Sequence, residues 1–333
     1  MAAPEVKSSS ELTMAVLGCG TMGISILSGI LSSLDSLAAS PSEPPTSPPA
    51  LPRHFIATVR SPASVSKVES ALSPLVKPAV STLRVLQSTS NVSAVSEADI
   101  ILLGCKPYMV GSLLTASGMK DALTVNHTTD HARKQKIIIS ICAGVTVPDL
   151  EAILRDDLGL PANDLPIVVR AMPNTASKIR ESMTVINTVD PPLPDSVTEL
   201  LTWIFKQIGE VSFLPPNLMD ACTSLCASGT AFFALMMEAA ADGGVAMGIP
   251  RAEANKMAAQ TMRGAAGLVL EGGEHPAILR EKVSTPGGCT IGGLLVLEEE
   301  GVRGAVAKAV REATVVASLL GGGGAKNVNG PRR

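Results

Sequence analysis

The sequence predicts an α/β domain with a doubly wound, mainly parallel sheet, followed by an all-α domain. Three observations carry this expectation. Short apolar runs alternate with stretches of helical length between residues 12 and 189. After residue 217 the chain becomes rich in Ala, Met and Leu, with prolines and glycines placed as helix starts and stops. A length of 333 residues suits two domains, each burying its own core.

The elements follow in order. Leu12-Thr-Met-Ala-Val-Leu17 reads as a buried parallel strand ending at Gly18, and Thr21 to Leu34 as a helix carrying Ile24, Leu27, Ile30, Leu31 and Leu34 at helical spacing. Residues 36–52 hold six prolines and four serines, a composition that resists both helix and sheet, and read as a surface insertion. Further strands are expected at His54–Val59, Leu83–Leu86, Asp99–Leu103, Lys136–Ile141 and Ile167–Ala171, with helical stretches at Pro107–Ala116 and Pro148–Leu158. Asn126 to Lys136 is polar and reads as an exposed loop. The α/β domain is placed at 12–189, a connecting segment at 190–216 and the helical domain at 217–320. Helices are expected at 194–207, 217–247, 250–271, 276–283, 290–299 and 302–320. Residues 1–11 read as a disordered leader and 321–333 as a flexible tail.

Charge and composition exclude several classes of function. The net charge is −3 and only seven residues are aromatic, which argues against a nucleic-acid partner and against attraction to an anionic membrane. The longest uninterrupted apolar run, Ala231–Met237, falls short of the roughly 20 residues a bilayer span needs, so no transmembrane helix is expected. The first residues carry no apolar signal core and no Arg-rich targeting segment, so a cytoplasmic location is expected. The six cysteines form no CxxC pair and read as reduced, mostly buried thiols. Cys222 with Cys226, and His127 with His131, have helical spacing but lack further ligands, so no metal site is expected.

The motif Gly18-Cys19-Gly20-Thr21-Met22-Gly23 follows a strand and opens a helix, the context that makes a GxGxxG element a dinucleotide loop and the domain Rossmann-type. The first glycine permits the tight turn, the second lets backbone approach a pyrophosphate, and the third lets helix pack on strand. The helix N-terminus offers N–H groups to the phosphates. At the end of the second strand an NAD enzyme would place an acid, whereas this chain has Arg60-Ser61, suited to a 2′-phosphate. NADPH is therefore favoured, with room for NADH. Cys105-Lys106-Pro107 and Cys142-Ala143-Gly144 leave the sheet at two further strand ends expected to line the same crevice. Asn174, after Arg170-Ala-Met-Pro, is suited to hold the nicotinamide amide.

In the helical part, Thr285-Pro-Gly287-Gly288-Cys289-Thr290 opens onto a helix, so that successive backbone N–H groups form an anion-sized nest flanked by hydroxyls. Taken together, these segments resemble the pyrroline-5-carboxylate reductase family from about Met14 to Leu320. The resemblance is carried by the Gly-rich loop, Cys-Lys-Pro, Ile-Cys-Ala-Gly-Val-Thr, Arg-Ala-Met-Pro-Asn-Thr, Ala-Asp-Gly-Gly-Val-Ala-Met-Gly-Ile-Pro250-Arg and, most specifically, Val283-Ser-Thr-Pro-Gly-Gly-Cys-Thr290. One departure is Cys226-Ala-Ser-Gly-Thr-Ala231, where the family has Ser-Gly-Ser-Gly-Pro-Ala; another is Thr285 where Ser is common.

The resemblance implies reduction of 1-pyrroline-5-carboxylate to L-proline by hydride from NADPH, with Asn91 as a further cofactor contact. It implies that Val283, Thr285, Gly287, Gly288, Cys289 and Thr290 bind the substrate, the nest taking the carboxylate. Thr290 would be the catalytic residue, bonding the ring nitrogen. An imine protonates more readily than a carbonyl, so no separate general acid is required, and His275 reads as a helix cap. The resemblance further implies a C-terminal dimerisation domain whose helices interlock with a second copy, with the active site completed near that interface. Two rivals are weighed: a β-hydroxyacid dehydrogenase-like enzyme, with Lys256 as a poorly placed acid, and an NADP-sensing regulator without turnover, which would not need the nest.

Overall fold

The computed structural model describes residues 11–39, 50–124 and 135–321, in two compact units. One takes in the described residues up to Ala227 and from Val316 onward; the other is Ser228–Val315. The expected leader, the loop from Asn126 to Lys136 with His127 and His131, and the tail lie wholly or mostly outside the described residues, as does most of the Pro/Ser-rich insertion.

The first unit is built on an eight-stranded sheet: β1 (Glu11–Leu17), β2 (Leu51–Val59), β3 (Thr82–Gln87), β4 (Ile100–Leu103), β5 (Ile137–Ser140), β6 (Ile167–Met172), β7 (Ser182–Asn187) and β8 (Gly209–Leu214). Their spatial order is β3-β2-β1-β4-β5-β6-β7-β8, and every pair is parallel except β6 with β7. Between them run α1 (Thr21–Ala39), α2 (Pro62–Leu72), α3 (Asn91–Glu97), α4 (Val110–Leu114), α5 (Met119–Leu123), α6 (Val147–Ala152) and α7 (Asp195–Lys206).

Strand alternation divides the core into two layers. Met14, Val16, Ile100, Leu102, Ile137, Ile139 and Val169 face α1, α2 and α7. Ala15, Leu17, Ile101, Leu103, Ile138 and Val168 face α3 to α6. Both faces are covered, which is why these strands read as continuous apolar runs.

Several differences from the sequence reading have physical causes. Helix α1 continues to Ala39, because Ser36-Leu-Ala-Ala39 precedes the first proline of the insertion. Strand β2 starts inside the same insertion at Leu51, with Pro52 beside a bulge where the register shifts between Leu12 and Thr13, so the missing N–H disrupts little. The segment 190–216, expected as a connector holding one helix, also supplies β8, an edge strand whose partner β7 was not anticipated. The sheet unit therefore extends well past residue 189. The expected helix at 217–247 breaks into a 3₁₀ turn at Pro216–Leu218, α8 (Met219–Cys222), a π-helical stretch at Thr223–Ser228 and α9 (Gly229–Ala246). The unit boundary falls within that π-helical stretch.

The second unit contains α9, α10 (Arg251–Leu270), α11 (Pro276–Val283), α12 (Cys289–Glu299) and most of α13 (Val302–Gly321). Gly248 and Gly273, both at positive φ, end α9 and α10, and Pro250 and Pro276 begin the next helices. By length and composition two helical stretches, Thr21–Ala39 and Pro216–Ala246, could cross a bilayer, although each is broken by small or polar residues. Helix α1 buries Ile26, Leu27, Ile30, Leu31 and Leu34 against the sheet, as a core helix does.

Candidate functional site

The strand order reverses between β1 and β4, and in such sheets ligands bind at the carboxyl ends of the strands beside that point. The chain leaves β1 at Gly18, whose φ is +79°. A Cβ there would meet the Cα and N of Cys105 at 2.8 Å, so only glycine fits. The turn is pinned to β2 by Thr58, whose carbonyl accepts from the N–H groups of Gly18 (3.0 Å) and Cys19 (2.9 Å). Around Gly20 the space is open: a Cβ would find only the Gly18 carbonyl, at 4.0 Å. At Gly23 it would press on Val16 Cγ1 at 3.0 Å and Cys19 Sγ at 3.1 Å. The three glycines thus serve the turn, the approach and the packing, in that order. Cys19 is buried, and burial pushes its thiol up to about 12, so it is an inert packing group.

The neighbouring strand ends bring the other expected cofactor residues to the same edge. Arg60 is exposed where β2 ends, and Ser61 is the N-cap of α2, its Oγ accepting from Ser64 N–H at 3.3 Å. Asn91 starts α3 beyond β3, and its Oδ1 is buried without a hydrogen-bond partner. Cys105, Lys106 and Pro107 follow β4, with Lys106 exposed; Cys142 and Ala143 follow β5, with Cys142 buried and Ala143 exposed. Met22 is held by Ser177, whose Oγ donates to its sulfur at 3.3 Å. This edge fits a dinucleotide on three counts: an open backbone at Gly20, a cation beyond β2, and an unsatisfied buried acceptor at Asn91.

Asn174, expected to hold the nicotinamide amide, is already engaged within the protein. Its Oδ1 accepts from Ala176 N–H and its Nδ2 donates to the Cys226 carbonyl, both at 3.0 Å. The side chain therefore caps one 3₁₀ turn and ties it to the π-helical stretch, which leaves one N–H and one lone pair for any ligand. Arg170, two residues before the end of β6, carries a role that its sequence context did not assign. Its guanidinium is buried, reaches Asp220 only at 4.0 Å, and keeps Nε without a partner. Burial lowers its pKa, and the neighbouring Asp220 and Asp149 oppose that shift. An arginine inside an apolar strand was the available signal.

In the second unit the glycine-rich turn joins α11 to α12. Gly287 has φ +68°, and Thr285 Oγ1 lies 2.4 Å from where a Gly288 Cβ would stand. Gly288 N–H is spent on the Thr285 carbonyl at 3.0 Å, so the expected nest is smaller than the sequence suggests. The open donors are those of Cys289 and Thr290, the first residues of α12, whose N-cap Gly288 has no side chain to satisfy them. Thr285 and Cys289 are exposed, Thr290 half-buried and Val283 exposed. His275 is the N-cap of α11, with Nδ1 accepting from Ala277 N–H at 3.2 Å.

Two family models match the chain. Residues 216–320 match pyrroline-5-carboxylate reductase dimerisation, and residues 13–144 match NADP oxidoreductase coenzyme F420-dependent. Over its full length the chain is 88% identical to the pyrroline-5-carboxylate reductase of Neurospora crassa, covering 100% of both proteins. The chain belongs to the pyrroline-5-carboxylate reductase family. The family member of Lophium arboricola is 57% identical, over 99% of each chain. Among solved structures, the Plasmodium falciparum pyrroline carboxylate reductase with NADP bound superposes with a TM-score of 0.68 at 21% identity, covering 93% of this chain and 98% of its own; it shares the fold. For a member of this family the two fold classes expected from the sequence, a Rossmann-type sheet domain and a helical dimerisation domain, are both present.

Proposed function

We infer that the chain reduces 1-pyrroline-5-carboxylate to L-proline, the last step of proline biosynthesis, using NADPH. The observation that carries this reading is the full-length identity of 88% with a pyrroline-5-carboxylate reductase. The edge of the sheet supports the cofactor half of it. NADPH supplies the hydride when bound. Gly18, Cys19, Gly20, Thr21, Met22 and Gly23 would seat its pyrophosphate, Arg60 and Ser61 its 2′-phosphate, and Asn91, Cys105, Lys106, Pro107, Cys142 and Ala143 would line the remainder.

The turn before α12 supports the substrate half. The substrate's carboxylate would take the open N–H groups of Cys289 and Thr290 and the Thr285 hydroxyl, with Val283, Gly287 and Gly288 shaping the pocket wall. The Thr290 hydroxyl would bond the ring nitrogen and stabilise charge there as the imine carbon is reduced. Most of the acceleration would come from orientation. His275 spends its Nδ1 lone pair on a helix cap, which suits a structural role and no acid-base step. The 216–320 match supports a homodimer formed through the helical unit. Six free cysteines support a reducing, cytoplasmic location.

The deciding assay follows NADPH oxidation on adding pyrroline-5-carboxylate, with a 2-ketoacid and a 3-ketoacid as controls. Turnover with the imine alone is expected; turnover with a ketoacid alone would overturn the reading. Thr290→Ala is expected to lower kcat at least about tenfold while NADPH affinity persists, a loss of about 1.4 kcal/mol or more. Unchanged turnover would remove Thr290 from the mechanism.

A further inference from the structure

Strands β4 and β5 pair in parallel with Leu103 opposite Ser140. Two residues past that last pair, just beyond both strand ends, stand Cys105 and Cys142. Adjacent strands run about 4.8 Å apart, which lies within the Cα separation that a disulfide spans. Cys142 Sγ already stands against the Cys105 backbone, 3.3 Å from the Cys105 carbonyl oxygen and 3.4 Å from that of Leu103, with its single S–H shared between them. We propose that Cys105 and Cys142 form a dithiol site at which a peroxide oxidises the protein to an intramolecular disulfide, closing the dinucleotide crevice. The functional half of this proposal rests on the reading of that crevice as the NADPH site.

The two thiols divide the chemistry between them. Cys105 is half-exposed, and the neighbouring Cys142 thiol shifts it toward the thiolate. Cys142 is buried, and the neighbouring Cys105 together with burial holds its proton on. The Cys105 thiolate attacks one peroxide oxygen; an S–O bond forms, the O–O bond breaks and hydroxide leaves. Cys142 Sγ then attacks the Cys105 sulfur; an S–S bond forms, the S–O bond breaks, and hydroxide departs with the Cys142 proton as water. The net change is two thiols oxidised by two electrons and one peroxide reduced to two waters.

The other cysteines do not share this arrangement. Cys19 is inert by burial, burial also raises the thiols of Cys222 and Cys226, and Cys289 is exposed with no second thiol near it in sequence. Closure would be felt at the Gly-rich loop. Drawing the sulfurs to about 2.05 Å takes Cys142 Sγ off both carbonyls. Cys105 backbone atoms already stand 2.8 Å from the Gly18 Cβ position, so any shift of that backbone is passed to the turn that Thr58 pins.

The test uses the full chain, reduced and then treated with a few equivalents of hydrogen peroxide. Mass spectrometry of a non-reducing digest is expected to show the Cys105 and Cys142 peptides joined with loss of two hydrogens. NADPH affinity, read by nicotinamide fluorescence, is expected to fall at least about tenfold and to return with dithiothreitol. Each variant is compared with its own untreated state. After peroxide, Cys142→Ser should accumulate a dimedone-reactive sulfenic acid on Cys105, and Cys105→Ser should form neither adduct nor cross-link. Absence of the cross-link, or a cross-link that leaves NADPH affinity unchanged, overturns the proposal. An untreated protein that binds no NADPH defeats the cofactor reading instead, and the digest still decides whether the dithiol site exists.

Discussion

The two units handle apolar side chains in opposite ways. In the sheet unit the large aliphatic residues are interior: Leu17, Ile26, Leu27, Ile30, Phe55, Ile100 and Phe205 are all fully buried. In Ser228–Val315 the fully described buried apolar residues are Ala241 and Ala254, while Leu235 (65% exposed), Met247 (85%), Leu270 (79%) and Leu295 (64%) face outward. The high apolar content of the chain, 46% of residues, therefore has two meanings. In one unit it is a finished core. In the other it is exposed surface available to the homo-oligomer that the dimerisation match supports.

The largest effect expected from this contrast is on dilution. Below the dimer dissociation constant the helical unit should lose helicity by circular dichroism, while the sheet unit keeps its cooperative unfolding and its affinity for NADPH. A monomer that retains full helicity at nanomolar concentration, measured by light scattering and circular dichroism together, would break the comparison.

Glycine substitutions sharpen it next. In the sheet unit Gly209 has φ +142°, and a Cβ would stand 2.1 Å from the Ser182 carbonyl oxygen, so Gly209→Ala is expected to cost about 3 kcal/mol or more. In α10 a Cβ on Gly264 meets nothing within 4 Å. There Gly264→Ala should change monomer stability by no more than about 1 kcal/mol, in the favourable direction, because alanine is the better helix former. Urea denaturation of each variant distinguishes the two; a large cost at Gly264 in the dimer alone would locate it at the partner surface.

Much of this contrast was legible in the sequence and some of it was not. Strands buried on both faces declare themselves as apolar runs, so β1, β2, β4, β5 and β6 were readable, and so were the helices that Pro250 and Pro276 begin. Strand β8 was not, because Gly-Glu-Val-Ser-Phe-Leu becomes a strand only once β7 offers it a partner. The π-helical stretch at Thr223–Ser228 leaves no trace in periodicity, since an extra residue in a turn shifts the pattern without erasing it. The Gly-rich loop and Arg60 were legible because their chemistry is local. Engagement of Asn174 by Cys226, and the alignment of Cys105 with Cys142, depend on contacts 52 and 37 residues apart. No spacing rule announces contacts of that range.

A smaller effect is expected at the Arg170–Asp220 pair within the sheet unit. Asp220 keeps 37% of its side chain exposed, whereas Arg170 keeps 6%. Removing the acid strands a buried cation, while removing the cation frees a carboxylate that water can solvate. Asp220→Asn should therefore cost about 2 kcal/mol, below the figure for pairs buried on both sides, and Arg170→Met should cost less. Equal losses in thermal denaturation would show that the pair is not the buried contact that the geometry indicates.

The smallest effects come from the two helix caps, and they separate structure from ligand binding. His275 caps α11 in the helical unit, and Ser61 caps α2 in the sheet unit. Truncation of either to alanine should cost about 1 kcal/mol, since a cap satisfies one local N–H whatever surrounds it. Ser61 carries a second expectation, because it stands beside Arg60 where the 2′-phosphate would lie. Aspartate is as good a cap as serine and suits a helix N-terminus, so Ser61→Asp should leave stability within a few tenths of a kcal/mol. Its charge would repel the 2′-phosphate while accepting from a ribose hydroxyl, the pairing that NAD sites use. The Michaelis constant for NADPH should rise about tenfold and that for NADH should fall or hold. If both constants hold while stability is unchanged, Ser61 is a cap like His275 and nothing more, and the preference for NADPH rests on Arg60.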